Sequence, residues 1–221
     1  MARTKSRFVC QECGYVASSW LGRCPECGGW NTLVEEAEVT AKASKSYLPA
    51  NNEKLRPRTI ASVAQTKVER LATGIREFDR VLGGGVVPGS LVLLGGTPGI
   101  GKSTILLDAG LRFGQQGIKV LYVSGEESEE QTAMRAVRLG GAQANDNMLI
   151  LTATDLDAIL SQANALKPQL LIIDSIQTMY NPELQTAAGS VGQVRECTAK
   201  LLQFAKSTGI AVLLIGHVTK D

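Results

Sequence analysis

A glycine-rich loop between an apolar run and a helical pattern constrains this chain more than any other stretch. Residues 90–94 (SLVLL) are typical of a buried strand, and residues 105–109 (ILLDA) are typical of a helix. Between them, the spacing G-x-x-x-x-G-K-S is met from Gly96 to Ser103. Strand, glycine loop and helix in this order are the context that a phosphate-binding P-loop requires. The flanking elements argue against the alternative, a glycine-rich turn with an accidental Lys-Ser pair.

The residue types in this loop suit a nucleotide. Glycines let main-chain N–H groups converge on phosphates, and the helix N-terminus adds free donors and the positive end of its dipole. We expect Lys102 to reach the β- and γ-phosphates and the hydroxyl of Ser103 to bind Mg²⁺. The predicted nucleotide-binding residues of the loop are Gly96, Thr97, Pro98, Gly99, Ile100, Gly101, Lys102, Ser103 and Thr104.

Length and composition favour an ordinary globular protein with one α/β domain and a small appendage. The 221 residues are 44% hydrophobic and 20% charged, and no apolar run is long enough to span a bilayer. The basic N-terminus leads into cysteines and not into the apolar core of a signal peptide, so we expect a cytoplasmic location and no membrane partner. The net charge of +2 says little about nucleic acid.

Four of the five cysteines form two C-x-x-C knuckles separated by ten residues. Each knuckle turns two thiolates toward one tetrahedral centre, which predicts a structural zinc site. A pair of disulfides is the alternative, and a catalytic zinc is disfavoured because four thiolates leave no position for water. We expect Trp20 and Trp30 to pack this small module. The predicted zinc ligands are Cys10, Cys13, Cys24 and Cys27.

The chain divides by composition into three parts. Residues 1–34 are the predicted zinc module, residues 35–65 are a polar linker without periodicity, and residues 66–221 are the core. In the core, helical patterns, one of them opened by a capping box from Ser128 to Gln131, alternate with apolar strands. This alternation predicts an α/β fold with a parallel sheet covered by helices on both faces. The predicted strands are 90–94, 119–123, 148–151, 170–174 and 210–215.

Polar residues follow three of these strands, at the edge of the sheet where ligands bind. Asp174 matches a Walker B carboxylate, which would hold magnesium opposite Ser103; without the P-loop, a turn or cap role would compete. We predict that Glu126 is the base that activates water and keep Glu127 as the alternative. Both could instead be solvated charges near a helix start. His217 is placed to sense the γ-phosphate, or is a lone surface histidine.

Together these motifs closely resemble the bacterial RadA (Sms) family of DNA repair proteins, over nearly the whole chain. Besides the cysteine module, the resemblance rests on residues 73–79 (TGIREFD), 95–104 (GGTPGIGKST), 121–128 (LYVSGEES), 172–178 (IIDSIQT) and 215–220 (IGHVTK). It implies a RecA-like P-loop core with ATP, Mg²⁺ and Zn²⁺ as cofactors, a homo-hexameric ring at full length, and binding to single-stranded DNA.

The resemblance also implies roles for individual positions. Lys102 and Ser103 would bind ATP and magnesium, Asp174 would be the Walker B acid, Glu126 the catalytic glutamate and His217 the sensor. Residues 180–192 would be the first DNA-binding loop, with Gln193 and Arg195 at the start of the helix behind it. The chain ends at Asp221, before the family's second DNA loop, its Lys-Asn-Arg-Phe-Gly motif and its Lon-protease-like domain. We therefore expect the core to be C-terminally incomplete.

The leading functional prediction is a DNA-dependent ATPase that branch-migrates or otherwise processes recombination intermediates during DNA repair. The alternative is an ATP-gated adaptor that docks a recombinase or helicase without being a motor. An autokinase on the same fold is disfavoured, because the zinc module has no place in it.

Overall fold

The structure is a computed structural model that describes residues 6–37, 59–64, 68–140, 146–184 and 186–217. The chain divides into two compact units, Met1–Val68 and Glu69–Asp221, which are described separately below. Most of the predicted linker lies outside the described residues, so its role as a tether stays a prediction. Within the described ranges, none of the helices combines the length and apolarity needed to cross a membrane.

The N-terminal unit contains a small antiparallel sheet with strand order β2-β1-β3. The strands are β1 (Ser6–Cys10), β2 (Val16–Ala17) and β3 (Leu33–Ala37), and a short helix, α1, spans Ile60–Ala64. β3 continues three residues past position 34, where the sequence analysis ended the module. Its interior is small: it consists of Cys10, Ala17, Cys24 and Leu33, with Phe8 and Tyr15 packed against them.

The second unit is built on a five-stranded sheet with order β4-β8-β7-β5-β6, in which every neighbouring pair is parallel. Its strands lie close to the predicted spans: β4 (Leu91–Gly96), β5 (Val120–Ser124), β6 (Met148–Thr152), β7 (Leu170–Asp174) and β8 (Ala211–His217). Because all five strands run the same way, their carboxyl ends meet at one edge. The register there places Ser124 beside Asp174 and Gly96 beside His217.

Helices cover both faces of this sheet, as predicted. They are α2 (Arg76–Val81), α3 (Lys102–Gln115), α4 (Glu129–Arg138), α5 (Leu156–Leu166) and α6 (Val191–Thr208). Alternate strand residues point to opposite faces. Tyr122 and Ile172 pack with α3, together with α2 and α4, whereas Val123 and Ile173 pack with α5 and α6. The α/β fold class is therefore confirmed.

Helix caps define where the chain leaves the sheet edge. Ser128 accepts a hydrogen bond from the Gln131 N–H, and the Gln131 side chain accepts one from the Ser128 N–H, which is the predicted capping box. The side chain of Asp155 caps α5 by accepting from the amides of Asp157 and Ala158. Ser190 caps α6 in the same way. These caps fix where α4, α5 and α6 begin, and so where the loops that precede them end.

Candidate functional site

The glycine loop lies between the end of β4 and the start of α3, as the sequence predicts. Gly99 and Gly101 have φ of 77° and 96°, in the left-handed region that favours glycine. No heavy atom lies within 4 Å of the position that a Cβ on Gly101 would take, so glycine is required there for conformation and not for space. Gly101 is the N-cap of α3 and has no side chain that could cap the helix, so the first amides of the helix stay free for an anion.

Lys102 is held inside this loop. Its side chain is buried, with the residue 6% exposed, and Nζ donates to the carbonyl oxygens of Gly96 and Thr97 at 2.8 Å each. These two bonds hold the ammonium group against the main chain of the loop. A positive charge fixed there attracts the phosphates of a nucleotide.

Ser103 and Asp174 are in contact although they lie 71 positions apart in the sequence. The Ser103 hydroxyl donates to Asp174 Oδ1 over 3.0 Å, and Asp174 is buried at the end of β7. The structure thus brings together the two residues that the sequence analysis assigned to magnesium. A hydroxyl and a carboxylate oxygen are ligands that Mg²⁺ prefers, so the donor set fits this ion.

Two residues that sequence reasoning missed complete the surroundings of Asp174. The hydroxyl of Tyr122, on the neighbouring strand β5, donates to Asp174 Oδ2 over 2.5 Å. Arg135 on α4 donates from Nη2 to the Tyr122 oxygen over 3.3 Å, and the same nitrogen lies 3.7 Å from Asp174 Oδ2. Burial, with the Asp174 charge beside it, raises the pKa of the Tyr122 phenol well above its ordinary value, so it remains a donor. The sequence signal that could have identified Tyr122 is its hydroxyl within the otherwise apolar run of residues 120–123.

The two adjacent glutamates have different surroundings. Glu127 forms an ion pair with Arg135 at 3.0 Å, and its main chain is held by the Ser124 hydroxyl. Glu126 has a side chain that is 54% exposed and accepts a hydrogen bond from the Ser175 hydroxyl over 3.1 Å. Glu126 is therefore the more exposed of the two carboxylates, since the Glu127 side chain is 37% exposed.

His217 lies at the end of β8, close to Glu126. Its Nε2 atom is 3.7 Å from Glu126 Oε1, and its Nδ1 atom is buried without a hydrogen-bond partner among the described residues. The Gln177 side chain approaches the His217 carbonyl oxygen at 3.4 Å. The lone histidine of the chain is thus part of the same edge as the glutamate, and not an isolated surface residue.

The predicted DNA-binding loop is anchored by Gln193 at its base. Gln193 is fully buried; its Oε1 atom accepts from the Asn181 N–H, and its Nε2 atom donates to the carbonyls of Asn181 and Thr186. Lys200, about two turns further along α6, forms ion pairs with Asp157 and Glu183. Arg195, by contrast, is exposed. Gln193 therefore shapes the described part of the loop, whereas the side chain of Arg195 is open to solvent.

In the N-terminal unit the four predicted cysteines converge. Their sulfur atoms all lie within 4.8 Å of one another, with Cys10 to Cys27 at 3.7 Å and Cys13 to Cys24 at 3.6 Å. Zinc–sulfur bonds of about 2.3 Å at tetrahedral angles place sulfurs about 3.8 Å apart, so the set fits zinc. All five cysteines are free, which is contrary to the disulfide alternative.

The two knuckles have the same local geometry. The amide of Gly14 donates to the Cys10 carbonyl and that of Gly28 to the Cys24 carbonyl, each over 2.9 Å, and both glycines have φ near 76°. Each turn therefore needs the left-handed region at its last residue, and each presents two thiols to the same centre.

The expectation for the two tryptophans is wrong. Trp20 is 56% exposed and Trp30 is 71% exposed, so neither packs the module. The interior is formed instead by Cys10, Cys24, Ala17 and Leu33. The guanidinium of Arg23 lies over the Trp30 ring at 5.7 Å from its centroid.

The fold and the site define a class of protein. A buried lysine in a glycine loop, at the N-terminus of a helix and beside a serine–carboxylate pair, is the arrangement of a P-loop nucleotide-binding protein of the α/β type.

The chain belongs to the AAA domain family, whose model matches residues 56–221. A second family model, described as a rubredoxin metal binding domain, matches residues 8–35. This match agrees with the four-cysteine geometry and supports a metal-binding module at the N-terminus.

Curated relatives support the resemblance drawn from the motifs. Proteins named DNA repair protein RadA are 49% identical in Halalkalibacterium halodurans, 47% in Bacillus subtilis and 46% in Listeria monocytogenes. Each alignment covers 100% of this chain and 48% of the relative. The resemblance to the RadA family is therefore confirmed, and the chain spans about half the length of the curated relatives it matches.

Proposed function

We propose that this chain binds and hydrolyses ATP as part of a DNA repair protein. The observation that carries the proposal is the 3.0 Å contact between Ser103 Oγ and Asp174 Oδ1, next to the buried Lys102 at the N-terminus of α3. Two residues far apart in sequence meet where a magnesium–nucleotide complex needs them. The match to the AAA domain family supports ATP as the nucleotide.

Each residue of the site has a proposed part in this chemistry. Lys102 and the free amides of α3 hold the phosphates, and Ser103 and Asp174 hold magnesium. When bound, that ion offsets the negative charge that builds up on the phosphate oxygens. We further propose that residues 96–104 close around the triphosphate, with the main chain as the main source of donors.

Glu126 is the proposed base. Its Oε1 atom is held by Ser175 while its carboxylate stays exposed, so it is placed to orient and deprotonate a water molecule. The ion pair of Glu127 with Arg135 suits a structural role better. His217, at 3.7 Å from Glu126, is the proposed sensor of the γ-phosphate.

The DNA part of the proposal rests on the relatives. They are named DNA repair proteins, and the chain covers 48% of each. We propose that the full-length protein is a homo-hexamer that binds single-stranded DNA and branched recombination intermediates and has a recombinase as a partner. The anchored loop 180–192 and the exposed Arg195 would face the DNA.

Replacing Glu126 by glutamine tests hydrolysis directly. We expect turnover of ATP to fall by about 10²–10⁴-fold, because the amide accepts no proton, while binding of a non-hydrolysable ATP analogue stays unchanged. Glu129→Gln is the matched control, because Glu129 is an exposed acid three positions further along the chain. A wild-type chain that does not turn over ATP in Mg²⁺ would refute hydrolysis. A normal rate in Glu126→Gln with a collapsed rate in Glu127→Gln would move the base to Glu127.

The exposed tryptophans favour a second candidate, the ATP-gated adaptor. Trp20 and Trp30 offer apolar surface on a module whose described residues include four acidic and two basic side chains, so they suit a protein partner better than a phosphate backbone. The Glu126→Gln variant separates the two candidates in the full-length protein. An adaptor keeps its ATP-dependent partner binding and its repair function, whereas a motor loses repair.

A further inference from the structure

Tyr122 on β5 contacts Asp174, the proposed magnesium ligand, on the neighbouring strand β7. It is fully buried in β5, and its hydroxyl donates to Asp174 Oδ2 over 2.5 Å. Ser124 is the register partner of Asp174, and Tyr122 lies two residues earlier on the same strand and the same face. The sheet itself therefore determines that this phenol reaches this carboxylate.

Arg135 supports the phenol from the helix above. Its Nη2 atom donates to the Tyr122 oxygen over 3.3 Å and forms the ion pair with Glu127 at 3.0 Å. The side chain of Arg135 is 17% exposed, and that of Glu127 is 37% exposed, so the contact with the buried phenol is the better shielded of the two. A directed chain results, in which the guanidinium donates to the phenol and the phenol donates to Asp174.

The two carboxylate oxygens of Asp174 thus have separate partners. Oδ2 accepts from Tyr122, and Oδ1 accepts from the Ser103 hydroxyl over 3.0 Å. The terminal torsion of an aspartate is soft, so without a partner on Oδ2 the carboxylate would rotate between orientations. Magnesium tolerates little departure from octahedral geometry, and an unfixed ligand therefore costs affinity.

We propose that Tyr122 and Arg135 are positioning residues that hold Asp174 with Oδ1 turned toward Ser103, and so tune the affinity of the nucleotide site for magnesium. The inference rests on the proposed function, because it assigns these residues to the same magnesium–ATP site. Among the described residues, no hydrogen bond or ion pair joins either side chain to residues 96–104, and the polar contact of Tyr122 with the site is its hydrogen bond to Asp174.

Tyr122→Phe tests the proposal in the 221-residue chain. The probe is a fluorescent, non-hydrolysable ATP analogue, titrated with MgCl₂ or held in excess EDTA. Loss of one hydrogen bond to a charged group predicts an increase of about tenfold in the Mg²⁺ concentration for half-maximal binding. The affinity in EDTA should not change, because the loop and Lys102 are untouched. Tyr15→Phe, which removes a phenol from the N-terminal unit, is the control and should behave like wild type.

Arg135→Gln is a second variant for the same Mg²⁺ titration, and it removes no apolar side chain from the core. It should shift the Mg²⁺ requirement in the same direction but by less than Tyr122→Phe, because the phenol stays and loses only its own donor. An unchanged Mg²⁺ requirement in Tyr122→Phe overturns the inference alone. An equal loss in Mg²⁺ and in EDTA also overturns it, because general damage to the site then explains the result. A wild-type chain without Mg²⁺-dependent binding overturns the proposed function and this inference together.

Discussion

Replacing Gln193 by alanine removes the side chain that ties the predicted DNA-binding loop to α6. The Gln193 amide is fully buried and makes three hydrogen bonds to the main chain. It accepts from the Asn181 N–H over 2.8 Å and donates to the carbonyls of Asn181 and Thr186 over 3.3 and 2.9 Å. Alanine replaces none of these bonds, so three main-chain groups each lose a partner, and the bonds to Asn181 are the buried ones.

The cost follows from these groups. An unpaired buried N–H costs about 1–3 kcal/mol, and each carbonyl that loses one donor adds roughly 0.5–1 kcal/mol. We expect the free energy of unfolding to fall by about 3 kcal/mol. For a protein of this length, such a loss lowers Tm by roughly 6–12 °C.

Far-ultraviolet circular dichroism is the suitable assay, with heat or urea as the denaturant. Both tryptophans lie in the N-terminal unit, so indole fluorescence would not report on α6. Gln203→Ala is the matched control, since Gln203 lies on the exposed side of the same helix and should cost little. If the two variants unfold at the same temperature, the three hydrogen bonds do not stabilise the loop, and the reasoning is refuted.

Two further changes test the remaining sites. Ser103→Ala should raise the Mg²⁺ concentration needed for binding of an ATP analogue without changing the affinity in EDTA. Thr198→Ala, which removes a hydroxyl bonded within α6, is the control. Equal behaviour of the two variants would argue against a magnesium role for Ser103. Cys10→Ser should abolish stoichiometric zinc, measured by atomic absorption, because three thiolates cannot close the tetrahedron. Cys197→Ser should keep the metal, since that thiol is buried in the other unit, where burial raises its pKa to about 11; zinc retained by Cys10→Ser would contradict the assigned ligands.

Local patterns predicted much of the fold and of both sites. The P-loop, the two cysteine knuckles and the capping box at Ser128 depend on residues a few positions apart, whose spacing dictates main-chain geometry directly. The five strands were predictable for a similar reason, because a strand buried on both faces is a continuous apolar run.

Predictions failed or stayed open where a side chain's surroundings come from distant elements. The burial expected for Trp20 and Trp30 is wrong, because the module's interior is formed by two of its cysteines with Ala17 and Leu33. Spacing alone also left Glu126 and Glu127 as alternatives. They differ because Arg135 on α4 pairs with Glu127, whereas Ser175 after β7 donates a hydrogen bond to Glu126.

The sequence by itself determined the class of this protein: an α/β core with a phosphate-binding loop and a four-cysteine module, because these are encoded in short, contiguous spacings. Only the tertiary structure decided which side chains share an edge of the sheet. Strand order and register bring Tyr122 to Asp174, and the packing of α3 brings Ser103 to the same carboxylate. The physical reason is that pairing between parallel strands depends on long-range packing of their faces, which no local spacing specifies.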